Sequence, residues 1–462
     1  MKKVALLLVF VFMANLAKAN YMLVQNVTTT GNNVGNKTIQ VQFDISWDNS
    51  WRDAINWDAA WVFLKFKTVT GVWEHAMLNT SGFANGAGTA NTIKVSADHV
   101  GANIYRSTID TGLFNATAMQ LQWNYGLSGL TNVTGLELRV YAIEMVYVPQ
   151  GDYTLLTGFS IDGSSSSNWH NNIYPAGAGP KYGVINKRLT PTLTLTESDV
   201  SSNLRIKGDA GIDGNNDGIV DYTNYPTGYN AFYSFKYELS EQQYADFFNT
   251  LTSTQIATLG DPSNSYYLSS SYSSTTNIRF TNGEYFSPTP NRSCISGTEA
   301  RIFAYADWAG LRPKTFLELS KECLGPYEPC NIGSLPPWNS FGGGYDNQIV
   351  GTENGTETLS NGGNYVATDY GLLRTGIAAT NNSTRSESGA GYYGIMDLAG
   401  NGAESVVRLS AFTFIGNNGD GKLDISGNAD VIGWSTGVIT YIEIYPSYHN
   451  LIPGFRFVRS AE

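Results

Sequence analysis

Gly391-Tyr-Tyr-Gly394-Ile-Met-Asp397-Leu-Ala-Gly400-Asn401-Gly402-Ala-Glu404-Ser405 is the stretch on which the fold of this 462-residue chain turns. Four glycines, the apolar trio Ile395, Met396 and Leu398, and three oxygen-bearing side chains share fifteen residues. Glycines this dense admit backbone conformations closed to other residues. Asp397, Asn401 and Glu404 can then turn inward, toward one another, a helix end or a hard cation. A tight structural turn is the simpler reading of the same pattern. The surrounding chain decides between them.

Upstream lie two strongly signalled helices. Ser296 and Glu299 have capping-box spacing before Ala300, Phe303, Ala304 and Asp307-Trp308, which lead to Ala309-Gly310-Leu311-Arg312-Pro313. Thr315 and Glu318 repeat the box before a second helix with Phe316, Leu319 and Cys323 on one stripe, ended by Gly325. Arg312 beside Glu318 reads as a partly buried ion pair that fixes the two helices. Earlier still, Phe232–Tyr237 reads as a strand. Ser240 and Gln243 then open a helix that places Tyr244, Phe247, Phe248 and Leu251 on one face. The chain closes on Pro453-Gly454-Phe455-Arg456-Phe457-Val458-Arg459.

Taken in order, these pieces resemble the formylglycine-generating enzyme (sulfatase-modifying factor) family. The Gly391–Ser405 stretch resembles its Gly-Leu-Tyr-Asp-Met-x-Gly-Asn-Val-Trp-Glu-Trp signature. The helices around Arg312 resemble its Ser-Trp-x-x-Ala-x-x-Tyr-x-x-Trp-x-Gly-x-Arg-Leu-Pro-Thr-Glu-x-Glu-Trp-Glu pattern. Met145-Val-Tyr-Val-Pro-Gln-Gly-Asp-Tyr153 resembles the strand that opens the family's domain, and the closing segment its terminal Gly-Phe-Arg strand. The resemblance covers residues 143–462. It implies an α+β, C-type-lectin-like domain with two helices packed against irregular sheets. It also implies structural calcium near Asn401, Gly402 and Glu404. Ala403 and Ser405 stand where the signature has tryptophans, and Gly297 stands where the Ser-Trp tryptophan would be.

The chemistry of that family does not carry over. Its oxidase acts through two copper-binding cysteines near the C-terminus, after an Arg-Gly-Gly-Ser-Trp motif. Here no cysteine follows Cys330 and no such motif follows Glu404. Without a thiolate there is neither nucleophile nor soft metal ligand. Iron-dependent relatives need His-x3-His-x-Glu, whereas His75, His99, His170 and His449 are scattered. A non-catalytic protein that binds a glycan or protein ligand, or assembles at a cell surface, is therefore expected. An oxidoreductase with a relocated site, built on Cys294, Cys323 or Cys330, is the alternative.

Residues 20–142 read as an all-β sandwich. Ile39, Val41, Phe43, Ile45 and Trp47 alternate with polar residues, and Val62, Leu64 and Phe66 repeat the period. Met119, Leu121, Trp123 and Tyr125 repeat it again, as do Leu136, Leu138 and Val140. Trp47, Trp51, Trp57, Trp61 and Trp73 read as packing rather than as a sugar platform. The alternation flips at Ile143, so a domain boundary is expected there. Residues 154–230 form a Ser/Gly/Asn-rich insertion. Within it Asp213, Asn215, Asp217 and Asp221 match the first positions of an EF-hand-type calcium loop, with Gly218 at the turn. The twelfth position is Asn224, so calcium and a plain Asx-rich turn both remain open. Asn417–Asp424 imitates such a loop, but Gly416 holds its first position and it reads as a turn.

Composition bounds the rest. Lys2 and Lys3, an apolar run from Val4 to Met13, and Ala17-Lys18-Ala19 read as a secretory signal over residues 1–19, which makes the protein secreted or cell-surface. No apolar run is long enough to span a bilayer as a helix. The formal charge of −11 becomes about −14 once Lys2, Lys3 and Lys18 leave, which argues against nucleic acid and anionic membranes. Three cysteines permit one disulfide, and Cys294 with Cys323 is the expected pair because their helices are expected to lie side by side. The recognition surface is expected in the C-terminal segment 434–449. Trp434, Tyr441, Glu443, Tyr445 and Tyr448 offer stiff amphipathic contacts there, where the resembled family places its substrate groove.

Overall fold

The computed structural model describes residues 22–151, 225–264, 277–294, 297–326, 349–352, 357–360, 372–379, 388–398, 401–408, 414–442 and 454–462. It also describes short strand segments at 153–154, 173–175, 184–185 and 204–206. The chain is β-rich, with few helices and several antiparallel sheets. The N-terminal part supplies β1 (Leu23–Asn33), β2 (Thr38–Arg52), β3 (Asp58–Lys67), β4 (Trp73–His75), β5 (Ala87–Gly88), β6 (Asn91–Val95), β7 (Ala102–Arg106), β8 (Asp110–Asn124) and β9 (Glu137–Val148). Inside the expected insertion, β10 (Tyr153–Thr154) pairs with β12 (Val184–Ile185), and β11 (Ile173–Pro175) with β13 (Leu204–Ile206).

The C-terminal part follows with β14 (Phe232–Phe235), α1 (Glu241–Phe248), α2 (Ser253–Leu259) and the hairpin β15 (Arg279–Thr281) and β16 (Glu284–Phe286). Then come α3 (Glu299–Trp308), β17 (Arg312–Pro313), α4 (Phe316–Leu324), the pair β18 (Ile349–Val350) and β19 (Thr358–Leu359), β20 (Glu404–Val407), β21 (Ile439–Ile442) and β22 (Phe457–Ser460).

The alternating residues of β2 place Val41, Phe43, Ile45 and Trp47 inward in a four-stranded sheet ordered β1-β2-β8-β5. Facing it is an eight-stranded sheet, ordered β17-β22-β14-β9-β3-β7-β6 with β4 beside β3. Residue 143 lies inside β9, which pairs with β3 on one side and β14 on the other. The sandwich and the C-terminal part therefore share one sheet. The flip at Ile143 has a physical cause. Leu138, Val140 and Ala142 face the four-stranded sheet, while Ile143 and Met145 face the helices, and both sides are covered.

β3 shows the same double burial most completely. Ala60, Val62, Leu64 and Phe66 enter the sandwich core, and Ala59, Trp61 and Phe63 enter a second core with α1, α3 and α4. Each such large apolar side chain contributes roughly 1.5–3 kcal/mol on burial. Trp61 donates its indole N–H to the Ala309 carbonyl (2.8 Å), and the Arg459 guanidinium lies 4.2 Å from its ring centre. A strand covered on both faces ties the two halves into one packed body.

The helices largely follow their signals. Ser240 and Gln243 form the expected capping box on α1, and Thr315 and Glu318 form that of α4, which ends at Gly325 with φ +54°. The third differs. α3 begins at Glu299 behind Thr298, whose side chain makes no cap bond, and Ser296 lies outside the described residues. The Glu299 carboxylate instead accepts the N–H groups of Gly437, Val438 and Ile439, at 2.5, 2.8 and 2.9 Å. A longer-range set of donors has taken the carboxylate away from its own helix end.

Candidate functional site

The Gly391–Ser405 stretch wraps around the end of α4. A Cβ at Gly391 would come within 2.3 Å of the Glu322 carbonyl, so only glycine fits there, and one at Gly402 would press on the Glu238 carboxylate at 2.7 Å and the Gly454 backbone at 3.0 Å. Asp397 and Asn401 both adopt left-handed backbone (φ +57° and +56°), which Asn and Asp tolerate better than most residues. Their side chains do turn inward. Asp397 accepts the Gly376 N–H (2.5 Å), while Asn401 donates to Glu238 (2.5 Å) and accepts the Leu373 N–H (2.8 Å). Glu238 also accepts the Gly402 N–H (2.8 Å). Burial, reinforced by Asp397, pushes the Glu238 carboxyl up to about 8.

Glu404 sits at the centre of a buried ionic cluster. Its carboxylate accepts Lys314 Nζ at 2.5 Å and Arg456 Nε at 3.1 Å, and Lys314 also reaches Glu322 at 3.1 Å. All four side chains are buried. Burial alone would raise the Glu404 carboxyl, but Arg456 and Lys314 outweigh it and hold it below the ordinary range. Calcium at Asn401, Gly402 and Glu404 does not fit this arrangement. The carboxylate is already neutralised by two cations, and the Asn401 amide oxygen is turned to a backbone N–H.

The other acidic convergence lies elsewhere. Asp307, Asp420 and Asp430 bring carboxylate oxygens within 4.8 Å of one another, the one such group of three among the described residues. Asp307 accepts the N–H groups of Asp420 (3.0 Å) and Asp430 (3.2 Å), so it pins the 416–430 loop to α3. The fully buried Lys65 ammonium donates to the Gly421 carbonyl (2.5 Å) from the sandwich side. Asn417–Asp424 is a loop held by these two residues, and its Asp420 is one of the three converging carboxylates.

A cleft of about 710 Å³ opens where the ends of β9, β14 and β22 meet the start of α4. Its size lies within the ordinary range for small-molecule sites. Tyr147, Gln150, Tyr225, Asn230, Arg312 and Asn417 are among its lining residues. Arg312 is buried and closed on itself. It makes two bonds to Glu318 (2.5 and 2.8 Å) and a third to Ser460 Oγ (3.1 Å), as the expected ion pair with an added hydroxyl. Segment 225–230 forms one wall and is fixed from behind. Lys321 Nζ donates to the Gly228 carbonyl (2.7 Å), Thr315 Oγ1 to that of Pro226 (2.8 Å), and Tyr153 Oη to that of Thr227 (2.5 Å). Tyr147 stacks on Trp57 with ring centres 4.1 Å apart and planes 7° apart, and leans on Tyr233 at 5.2 Å.

The expected recognition residues are placed as follows. Trp434 packs on Phe303 (5.5 Å between ring centres) and donates its indole N–H to the carbonyl of Asn417 (3.2 Å). It thus supports the rim of the cleft. Tyr441 lies in β21 opposite Ser405 and is half-buried. Glu443, Tyr445 and Tyr448 lie outside the described residues, as do Cys330 and the Asp213, Asn215, Asp217 and Asp221 loop. The sequence reading missed Gln150, Asn230 and Asn417. Gln150 and Asn230 are isolated polar residues beside strand ends that nothing in the local pattern marks, while Asn417 stands out only as part of an Asx-rich loop, not as part of a cleft.

The thiol pairing is corrected by the structure. Cys294 and Cys323 are both buried thiols, not joined to each other. Cys294 lies before α3, with its N–H bonded to the Leu239 carbonyl (2.8 Å). Cys323 lies beside Glu322 and the Lys314 cluster, so the two neighbour different groups. Burial drives both thiols well above their ordinary range. His75 and His99 bond the carbonyls of Val100 (2.6 Å) and Leu78 (2.7 Å), and no histidine cluster forms among the described residues. Compared with family models, curated proteins and solved structures, the chain matches none of them.

Proposed function

We propose that this is a secreted, non-catalytic binding protein whose lectin-like C-terminal part holds its ligand in the cleft at the end of the central sheet. The observation that supports this reading most directly is the cleft itself. It has the volume of a ligand site, a rigid tyrosine wall and a floor whose one ion pair is self-neutralised. Nothing in its described lining is a thiol, a histidine or an uncommitted lysine. General acid–base or nucleophilic chemistry needs an activated group within reach of the ligand; of the two carboxylates in the described lining, Glu318 is held by Arg312 and Glu462 accepts the Ala97 N–H (2.6 Å). The thiols lie in the core, with their protons retained by burial. In this reading calcium, where it stabilises the fold, is held by the Asp213–Asp221 loop or by Asp307, Asp420 and Asp430, because Glu404 is taken by Lys314 and Arg456.

Incubation of the purified protein with a Cys-x-Pro-x-Arg peptide and copper, followed by mass spectrometry, tests the non-catalytic part. No aldehyde above a no-protein control is expected. Conversion of the peptide would establish the oxidoreductase reading instead.

A further inference from the structure

We infer that the cleft is built for a short neutral saccharide; the inference rests on the binding reading above and names its ligand class. Three features of the lining select it. The first is charge. Arg312 is the one cation on the described wall, and it is already paired with Glu318 through two bonds, with further bonds to Ser460 and the Pro313 carbonyl. Glu462 adds a carboxylate at the rim. An anionic ligand such as a phosphate or an acidic sugar would meet the Glu318 and Glu462 carboxylates, with the one cation of the described lining already paired to Glu318.

The second feature is the set of exposed carboxamides. Gln150 and Asn230 are exposed on the wall, and their side chains make no hydrogen bond among the described residues. Asn417, also in the lining, donates its amide N–H to the Ile432 carbonyl (3.1 Å). A carboxamide presents a donor and an acceptor side by side, which matches neighbouring hydroxyls that can each give and take a hydrogen bond. A purely apolar ligand would desolvate these groups with nothing in return.

The third is the tyrosine pair. Tyr147 and Tyr225 both line the cleft, and both are held before any ligand arrives. Tyr147 is fixed by its stack on Trp57, and Tyr225 by its hydroxyl bond to the Val407 carbonyl (2.7 Å). Stiff aromatic walls match the apolar C–H face of a pyranose ring at low entropic cost. A ligand rimmed with hydroxyls, apolar on one face and without charge is a neutral sugar. The volume admits more than one ring.

The test uses the full mature chain and three probe panels, read by saturation-transfer NMR and calorimetry: neutral trisaccharides of glucose, mannose and N-acetylglucosamine; sialylated and uronic trisaccharides; and short neutral peptides. The double variant Gln150→Ala/Asn230→Ala, both at exposed positions, is run beside the parent. The expected result is binding of at least one neutral trisaccharide, weakened by about tenfold or more in the variant, with an unchanged melting temperature. Competition by an acidic sugar or a peptide for the cleft, lost in the variant, would overturn the sugar class and leave the binding reading standing. A neutral sugar that binds equally to parent and variant would overturn the cleft as its site. Silence across all three panels would overturn both.

Discussion

Removal of the Lys314 charge is the sharpest perturbation that the structure offers. Lys314 is fully buried and bridges Glu322 (3.1 Å) and Glu404 (2.5 Å). In Lys314→Met the Glu404 carboxylate keeps Arg456 at 3.1 Å, but Glu322 loses the one cation that the structure places on it. Breaking a buried pair from one side typically costs about 3–5 kcal/mol, because the remaining charge stays desolvated. The variant should therefore melt on the order of 6–10 °C below the parent in a chain this large. Removing the stranded charge as well should restore much of the loss. Lys314→Met/Glu322→Gln is expected to recover about 1–3 kcal/mol, the usual coupling between contacting groups. Differential scanning fluorimetry at pH 7 on the three proteins is sufficient. A single variant that melts with the parent, or a double variant no better than the single, would refute the claim that Lys314 is the counter-ion of this core.

Stability should also fall as pH rises from about 5 to about 8. Asp246, Glu144 and Glu238 have folded-state values pushed up to about 6, 7 and 8 by burial, so their contribution is present in mild acid and lost as pH climbs through those values. Glu404 runs the other way and limits the acid side, while Lys65, lowered by burial to about 7, offsets part of the loss above pH 7. A melting temperature that is flat or rising between pH 5 and 7 would contradict this. Both Cys294 and Cys323 should resist a water-soluble maleimide in the native protein and react after unfolding; a Cys294–Cys323 disulfide in non-reducing peptide maps would overturn their assignment as thiols. A fragment ending at residue 142 should fail to fold as a soluble monomer, since it exposes Trp61 and Phe63 and removes half of β9; a sharp, reversible melt of that fragment would count against the shared sheet. Calcium should raise the melting temperature by several degrees, and Asp213→Asn/Asp217→Asn should abolish that shift. An equal shift in the variant would place the ion elsewhere.

Local signals were legible wherever they depend on neighbours a few residues away. The capping boxes at Ser240/Gln243 and Thr315/Glu318, the inward alternation of β2 and the Arg312–Glu318 pair are all readable, because period and spacing fix them before the chain folds. The inward turn of Asp397, Asn401 and Glu404 is readable for the same reason, from the glycines around them. What those side chains meet is decided across the fold. Glu404 finds Lys314 and Arg456, which are 90 and 52 positions away, and a carboxylate cannot reveal in sequence whether a metal or an ammonium will neutralise it. Glu299 looks like a cap residue until Gly437, Val438 and Ile439 arrive with unpaired donors. The flip at Ile143 looks like the end of a domain because a period records which faces are apolar, not what covers them. Only the tertiary structure shows both faces of β9 and β3 covered, and only it assembles the cleft, whose walls come from five separate parts of the chain.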